Sequence, residues 1–186
     1  MFLLKQYPEY IFNFEGAVKY AWMKEYYPAQ YEEMKKFIES GRWHISGASW
    51  DATDTLVPSI ESAIRNIMLG QDYYRKEFGV ESTDIFLPDC FGFGWTLPAI
   101  ASHCGLIGFS SQKLQWRNKP FYGNDKYPFT VGLWQGIDGS TIMMTHGYDY
   151  NQRFEDGDLS ENKDLLELTG HSPLHMVYRY YGTGDI

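Results

Sequence analysis

The chain has 186 residues, 44% of them hydrophobic and 22% charged, which is enough apolar material for one packed domain and too much for a disordered segment. Lys and Arg number 16 against 24 Asp and Glu, a formal charge of −8 with no basic run, so nucleic acid is not an expected partner: neutralising phosphates takes clustered cations. No apolar stretch is long enough to span a bilayer, the opening MFLLKQYPEY lacks the basic and apolar regions of a signal peptide and so points to the cytoplasm, and Cys90 and Cys104 alone build neither a disulfide scaffold nor a cysteine-based zinc site.

Taken in chain order, residues 10–14 (YIFNF) predict a short buried strand, and a helix follows over 17–26. Pro28 opens a second helix at the position where its missing N–H does no harm. Tyr31, Met34, Phe37 and Ile38 recur there at helical spacing, and Gly41 ends it. A strand at 43–46 and an irregular loop to 57 lead to a helix capped by Ser59, with Glu61 in its first turn, running to Phe78 and stopping at Gly79. Residues 85–87 form a strand closed by Pro88, residues 97–104 a helix, and residues 106–110, 129–134 and 141–145 three strands. Gly136-Ile137-Asp138-Gly139 between the last two has hairpin turn chemistry. A helix over 158–168 and a last strand over 175–181 complete the reading. Alternation of strands and helices implies an α/β fold with a mainly parallel sheet. A closed (β/α) barrel typically takes about 250 residues, so the expectation is one partial domain over 1–186, cut at both ends from a larger α/β domain.

In such folds reactive groups gather on loops beyond the carboxyl ends of strands. Asp54 lies in the loop after 43–46, Asp89 directly after 85–88, Lys113 and Trp116 after 106–110, His146, Tyr148 and Asp149 after 141–145, and Asp185 after the last strand. Asp89 sits between an apolar strand and the glycine-rich aromatic run Cys90-Phe91-Gly92-Phe93-Gly94. It reads either as a turn or cap residue for the helix near Thr96, or as a nucleophile or metal ligand in a dry aromatic pocket. Asp54 reads equally as a turn residue, Lys113 as a solvated surface lysine and His146 as a structural histidine. No His-x-x-x-His spacing marks a self-contained zinc site.

Together these segments resemble the N-terminal catalytic domain of glycoside hydrolase family 38, the α-mannosidases. The resemblance is carried by Tyr7-Pro8, Phe12, Trp22-Met23-Lys24-Glu25, Tyr27-Pro28 and Gly41-Arg42-Trp43. It continues through Gly47-Ala48-Ser49-Trp50, Asp54, Pro58-Ser59, Glu61-Ser62, Arg65 and Gly70 to Pro88-Asp89 with Phe91-Gly92. Leu97-Pro98, Gln112-Lys113, Trp116, Trp134, Asp138-Gly139-Ser140 and Tyr181-Gly182-Thr183-Gly184-Asp185 close the pattern.

The resemblance implies part of a (β/α)7 barrel-like domain and a zinc-dependent, retaining hydrolysis of terminal α-mannosides, with an α-mannoside oligosaccharide as the substrate partner. Asp89 stands at the position of the nucleophile that also binds Zn2+, and Asp185 is the candidate acid/base. Phe91 would stack on the sugar, Lys113 would support Asp89, and Asp54, Tyr148 and Asp149 would reach substrate. The family's other zinc ligands, a His-x-Asp pair and a later histidine, have no counterpart in the chain, Ala52 replaces an acidic residue and Ile60 a glycine. The 186 residues alone are therefore expected to bind zinc poorly and to hydrolyse little. Two other readings are a metal-dependent polysaccharide deacetylase-type hydrolase, which would need an Asp-Asp or His-x-x-x-His pair that is missing, and a non-catalytic, sugar-binding remnant.

Overall fold

The computed structural model describes residues 1–113, 130–146, 161–171, 174–176 and 178. A short helix α1 (Phe2–Gln6) leads to β1 (Phe12–Phe14), α2 (Ala17–Tyr26), α3 (Pro28–Glu39) and β2 (Trp43–Ile45). A long α4 (Ile60–Phe78) precedes β3 (Asp84–Phe86), α5 (Leu97–His103) and β4 (Gly108–Ser111). After these come β5 (Val131–Gln135), β6 (Thr141–His146) and α6 (Lys163–His171). Helix ends follow local chemistry. Pro28 opens α3, the Ser59 hydroxyl accepts from the Ser62 N–H at 3.2 Å at the start of α4, and the chain leaves α4 at Gly79.

Two sheets result among the described residues. β1 and β2 pair in parallel with Phe12 opposite Trp43 and Phe14 opposite Ile45. The second sheet runs β3-β4-β6-β5; its first two pairings are parallel and only the β5–β6 hairpin is antiparallel. The hairpin turn closes through Gly136 N–H to Ser140 O (2.9 Å), and the Asp138 carboxylate accepts from the Ser140 N–H at 3.0 Å. The α/β expectation with a mainly parallel sheet holds.

Each sheet has its own core. Ile85, Leu87, Ile100, Phe109 and Ile142 bury one between the second sheet and α5, with Ile67 of α4. Leu4, Tyr20, Tyr31, Met34, Trp43, Ile45 and Tyr74 bury the other. Much of the aromatic excess is spent in this second core: the Phe12 and Trp43 rings meet edge-on at 4.7 Å, and Tyr20 packs edge-on against Tyr74 and Phe78. The indole N–H of Trp43 donates to the Tyr20 hydroxyl and that hydroxyl to Phe14 O, both at 3.0 Å, so no polar atom of the pair is stranded. Burial pushes the Tyr20 hydroxyl far above the usual tyrosine range. At the rim, Lys24 binds both oxygens of Glu77 (2.6 and 2.7 Å), the Tyr31 hydroxyl donates to one of them, and the Lys24 bond above all holds the Glu77 carboxyl below its ordinary range.

The segment after β2 joins the two halves. Ser46 Oγ and the Gly47 N–H donate to the carboxylate of Asp84, the first residue of β3, at 2.7 and 3.0 Å, and the Ala48 N–H donates to Asp84 O at 2.8 Å. The same segment accepts the first N–H groups of α2 on Ser49 O and Trp50 O, and the Trp50 N–H reaches Asn66 O of α4. Helix α4 presses so close here that a Cβ built on Gly70 would lie 2.1 Å from Ala48 O.

Three expectations are corrected. Residues 2–6 form a helix where none was anticipated, and residues 10 and 11 lie outside β1. Of the last strand expected over 175–181, the described His175, Met176 and Tyr178 are not in a strand: His175 has φ 49° and the Tyr178 N–H goes to the Thr130 hydroxyl at 2.8 Å instead of to a ladder carbonyl. The rest of that segment, and the start of the helix expected over 158–168, lie outside the described residues.

Substituting Gly70→Ala forces α4 off the Ser46–Trp50 segment and should cost about 3 kcal/mol in urea unfolding. Glu77 is stabilising as a carboxylate, so its contribution is complete above about pH 4.5, its ordinary value, and is lost as the pH falls through the lowered one. In Glu77→Gln the drop in unfolding free energy on acidification over that window should be smaller than in the wild type.

Candidate active site

Parallel pairing of β3 with β4 and of β4 with β6 brings their carboxyl ends to one edge. Phe86 is opposite Ser110 and Ser111 opposite His146. Residues a few positions past Phe86 and past Ser110 are therefore neighbours. Asp89 and Lys113 meet there: Lys113 Nζ lies 3.2 Å from Asp89 Oδ1, and Gln112 Nε2 donates to the same oxygen at 3.0 Å. Both contacts fall on Oδ1 of a side chain that is largely exposed.

The two partners differ sharply in environment. The Lys113 side chain is 6% exposed and that of Asp89 is 74% exposed. Lys113 is thus not a solvated surface lysine; its ammonium is drawn inside, where the Asp89 carboxylate and the Phe91 ring, 5.2 Å from Nζ to centroid, replace part of its water. The dry aromatic pocket expected around Asp89 is corrected too. The carboxylate stands at a solvent-facing ledge, because the buried member of the pair is the cation. Nor does Asp89 cap α5: that helix begins after Thr96, and the Leu97 N–H goes to Gly94 O.

The Asp54 loop is sewn to the Asp89 loop. Thr55 Oγ1 donates to Gly92 O at 2.7 Å, the Cys90 thiol lies 3.1 Å from Thr53 O, and the Leu56 side chain fills the space beside Gly92. Asp54 Oδ1 accepts the backbone N–H groups of Leu56 (2.7 Å) and Val57 (3.2 Å), the turn role that was one of its two readings. The Cys90 thiol is pushed up, chiefly by burial and then by the charges of Asp54, Asp89 and Glu15. Phe93 inserts into the core against Phe109 (4.9 Å) and Trp134 (6.5 Å), whereas Phe91 and Trp95 on either side of it stay outside, 66% and 76% exposed. His146 is fully buried at the end of β6, its backbone N–H bonded to Thr130 O.

Sequence reasoning assigned no role to Gln112, Glu15 or Trp95. The signal for Gln112 was its place one residue before Lys113 at the end of the strand adjoining Asp89. Asp185, Tyr148, Asp149 and Trp116 lie outside the described residues, so their positions relative to Asp89 are not described. Among the described residues no group of three or more His, Cys, Asp or Glu side chains is placed to hold a metal ion.

The profile described as "Glycosyl hydrolases family 38 N-terminal domain" matches residues 1–171. Alpha-mannosidase G of Dictyostelium discoideum is 37% identical over 186 residues, covering 96% of this chain and 16% of that protein. The Saccharomyces cerevisiae alpha-mannosidase is 31% identical over 185 residues, covering 98% of this chain and 16% of that protein. Among solved structures, a protein in the Glycosyl Hydrolase Family 38 from Enterococcus faecalis superposes with TM-score 0.69 at 19% identity, over 99% of this chain and 20% of its own, a likeness of fold. The chain thus spans about one-sixth of the length of these curated relatives. The deacetylase-type reading gains no support.

Gly92 has φ 122° and a Cβ there would lie 2.6 Å from Leu56 Cδ1. Gly92→Ala should therefore strain the backbone of the Asp89 loop, costing about 2 kcal/mol of stability in urea unfolding.

Proposed function

The chain belongs to glycosyl hydrolase family 38, and from that premise we propose that residues 1–186 are the nucleophile-bearing part of an α-mannosidase catalytic domain. The observation that carries this reading is Asp89 beyond the end of β3, gripped on Oδ1 by Gln112 and Lys113 while its side chain stays largely exposed.

In this reading Oδ2 of Asp89 attacks the anomeric carbon of a terminal α-mannoside, the glycosidic oxygen leaves with a proton from a carboxylic acid, and water then releases the sugar from the glycosyl-enzyme. Two successive displacements at one carbon return the starting configuration. Gln112 and Lys113 hold the nucleophile in one orientation, so it need not be reorganised as the transition state forms. Phe91 offers its ring to the apolar face of the mannose. Asp54, with Oδ1 committed to its turn, has Oδ2 for a substrate hydroxyl. Asp185 is the proposed acid/base, and the two carboxyls of a retaining glycosidase stand about 5–5.5 Å apart. Tyr148 and Asp149 are proposed as further hydroxyl contacts.

Zinc is a separate matter. Its chemistry in such a site would be to grip sugar hydroxyls as a Lewis acid. A catalytic zinc takes about three protein ligands, and the described residues offer Asp89 without a cluster of three donors. They do not fit a zinc site by themselves, and no step above runs through a metal; a zinc in the intact enzyme would draw its other ligands from elsewhere in the polypeptide.

In the full polypeptide, Asp89→Ala should lower kcat/KM for an aryl α-mannoside by about a thousandfold or more, and NMR of the first product of the wild-type enzyme should show α-mannose. Turnover of the variant within about tenfold of wild type, or β-mannose as the first product, would remove Asp89 as nucleophile.

A further inference from the structure

Resting on the α-mannosidase reading, we propose that Trp95 is the platform for a second sugar ring of the substrate, the one that departs when the terminal mannose is cleaved. The loop from Asp89 to α5 alternates. Phe91 points out, Phe93 is clamped in the core by Phe109 and Trp134, and Trp95 points out again. The inward anchor between them makes the exposure of both outer rings a fixed property of the loop. Its flank is pinned as well, by Thr55 on Gly92, by Cys90 on Thr53 and by Leu56 against Gly92 and Gly94.

Trp95 is 76% exposed, and among the described residues its indole has neither a ring contact nor a hydrogen-bond partner. Trp43, Trp50 and Trp134 by contrast pack their rings against the two cores. An exposed indole on the same loop as Asp89 is matched to a ligand with one flat apolar face and a polar rim, which describes a pyranose: its C–H face stacks on the ring while its hydroxyls stay in water. Leu56 (59% exposed) and Val57 (83% exposed) extend the apolar ledge on the neighbouring loop, whose turn is set by Asp54. A glycosidase has to hold both sides of the bond it breaks. With the terminal mannose on Asp89 and Phe91, the ring beyond the scissile oxygen is the one left for Trp95, four positions further along the same loop.

The test compares two substrates in the full polypeptide: an α-linked dimannoside and α-mannosyl fluoride, whose leaving group has no ring. Trp95→Ala should lower the ratio of kcat/KM for the dimannoside to that for the fluoride by about tenfold or more, and Trp95→Phe, which keeps a flat ring, should restore most of it. An unchanged ratio in Trp95→Ala overturns the proposal, as does a loss shared equally by both substrates together with a lowered melting temperature, the mark of a ring buried under another part of the protein. Wild-type turnover of neither substrate overturns the mannosidase reading, and the second-ring platform falls with it; turnover of both with an unmoved ratio defeats the platform alone.

Discussion

The structure depends on how Asp84 receives the segment after β2. No strand of the first sheet pairs with a strand of the second among the described residues, so the two are joined by side chains and loop amides rather than by a ladder. The Asp84 carboxylate takes Ser46, Gly47 and, at 2.9 Å, Ser82, while its carbonyl takes the Ala48 N–H. A carboxylate that accepts several such bonds is well compensated for lost water, and its removal would leave those donors unsatisfied in a part-buried seam. Because the same segment carries the first carbonyl acceptors for α2 and rests on Gly70 of α4, the direction in which β3 leaves the seam is determined before the Asp89 loop begins.

From there the Asp89 edge follows from topology and charge. Parallel strands deliver Asp89 and Lys113 to the same end, and their unequal burial divides the labour. An ammonium inside the fold needs an anion close by, whereas a carboxylate at the surface remains largely hydrated and available to a ligand. The pair is thus a fixed positive support under an exposed carboxylate, which differs from a carboxylate immersed in an apolar pocket.

Helices α3 and α4 were readable because their punctuation is chemical and local. Pro28, Ser59 and Gly79 mark ends that hold to within a residue. Strand positions were readable to within one or two residues, since apolar runs identify a strand but ladder geometry decides where pairing starts. Asp89 was legible as a strand-end acid and Lys113 as its companion. Their burial was not, because exposure is settled by which chain segment lies beneath each side chain, and that is a tertiary fact. The aromatic content, legible as a surplus, was ambiguous between sugar binding and packing. The fold divides it, with Tyr20, Tyr31, Trp43 and Tyr74 inside and Phe91 and Trp95 outside. The strand expected over 175–181 is not formed at the described His175, Met176 and Tyr178, which shows the limit of reading β-propensity alone: Tyr178 spends its amide on a threonine hydroxyl.

Helix α4 places Ile67 in the core under the second sheet and Tyr74 in the core under the first, with Gln71 between them bonded to the Ser82 backbone. Neither core can dissolve while the other persists intact, because each would strip the shared helix of half its burial. The two sheets are therefore expected to unfold together, with the amide hydrogens in the middle of α4 among the slowest to exchange.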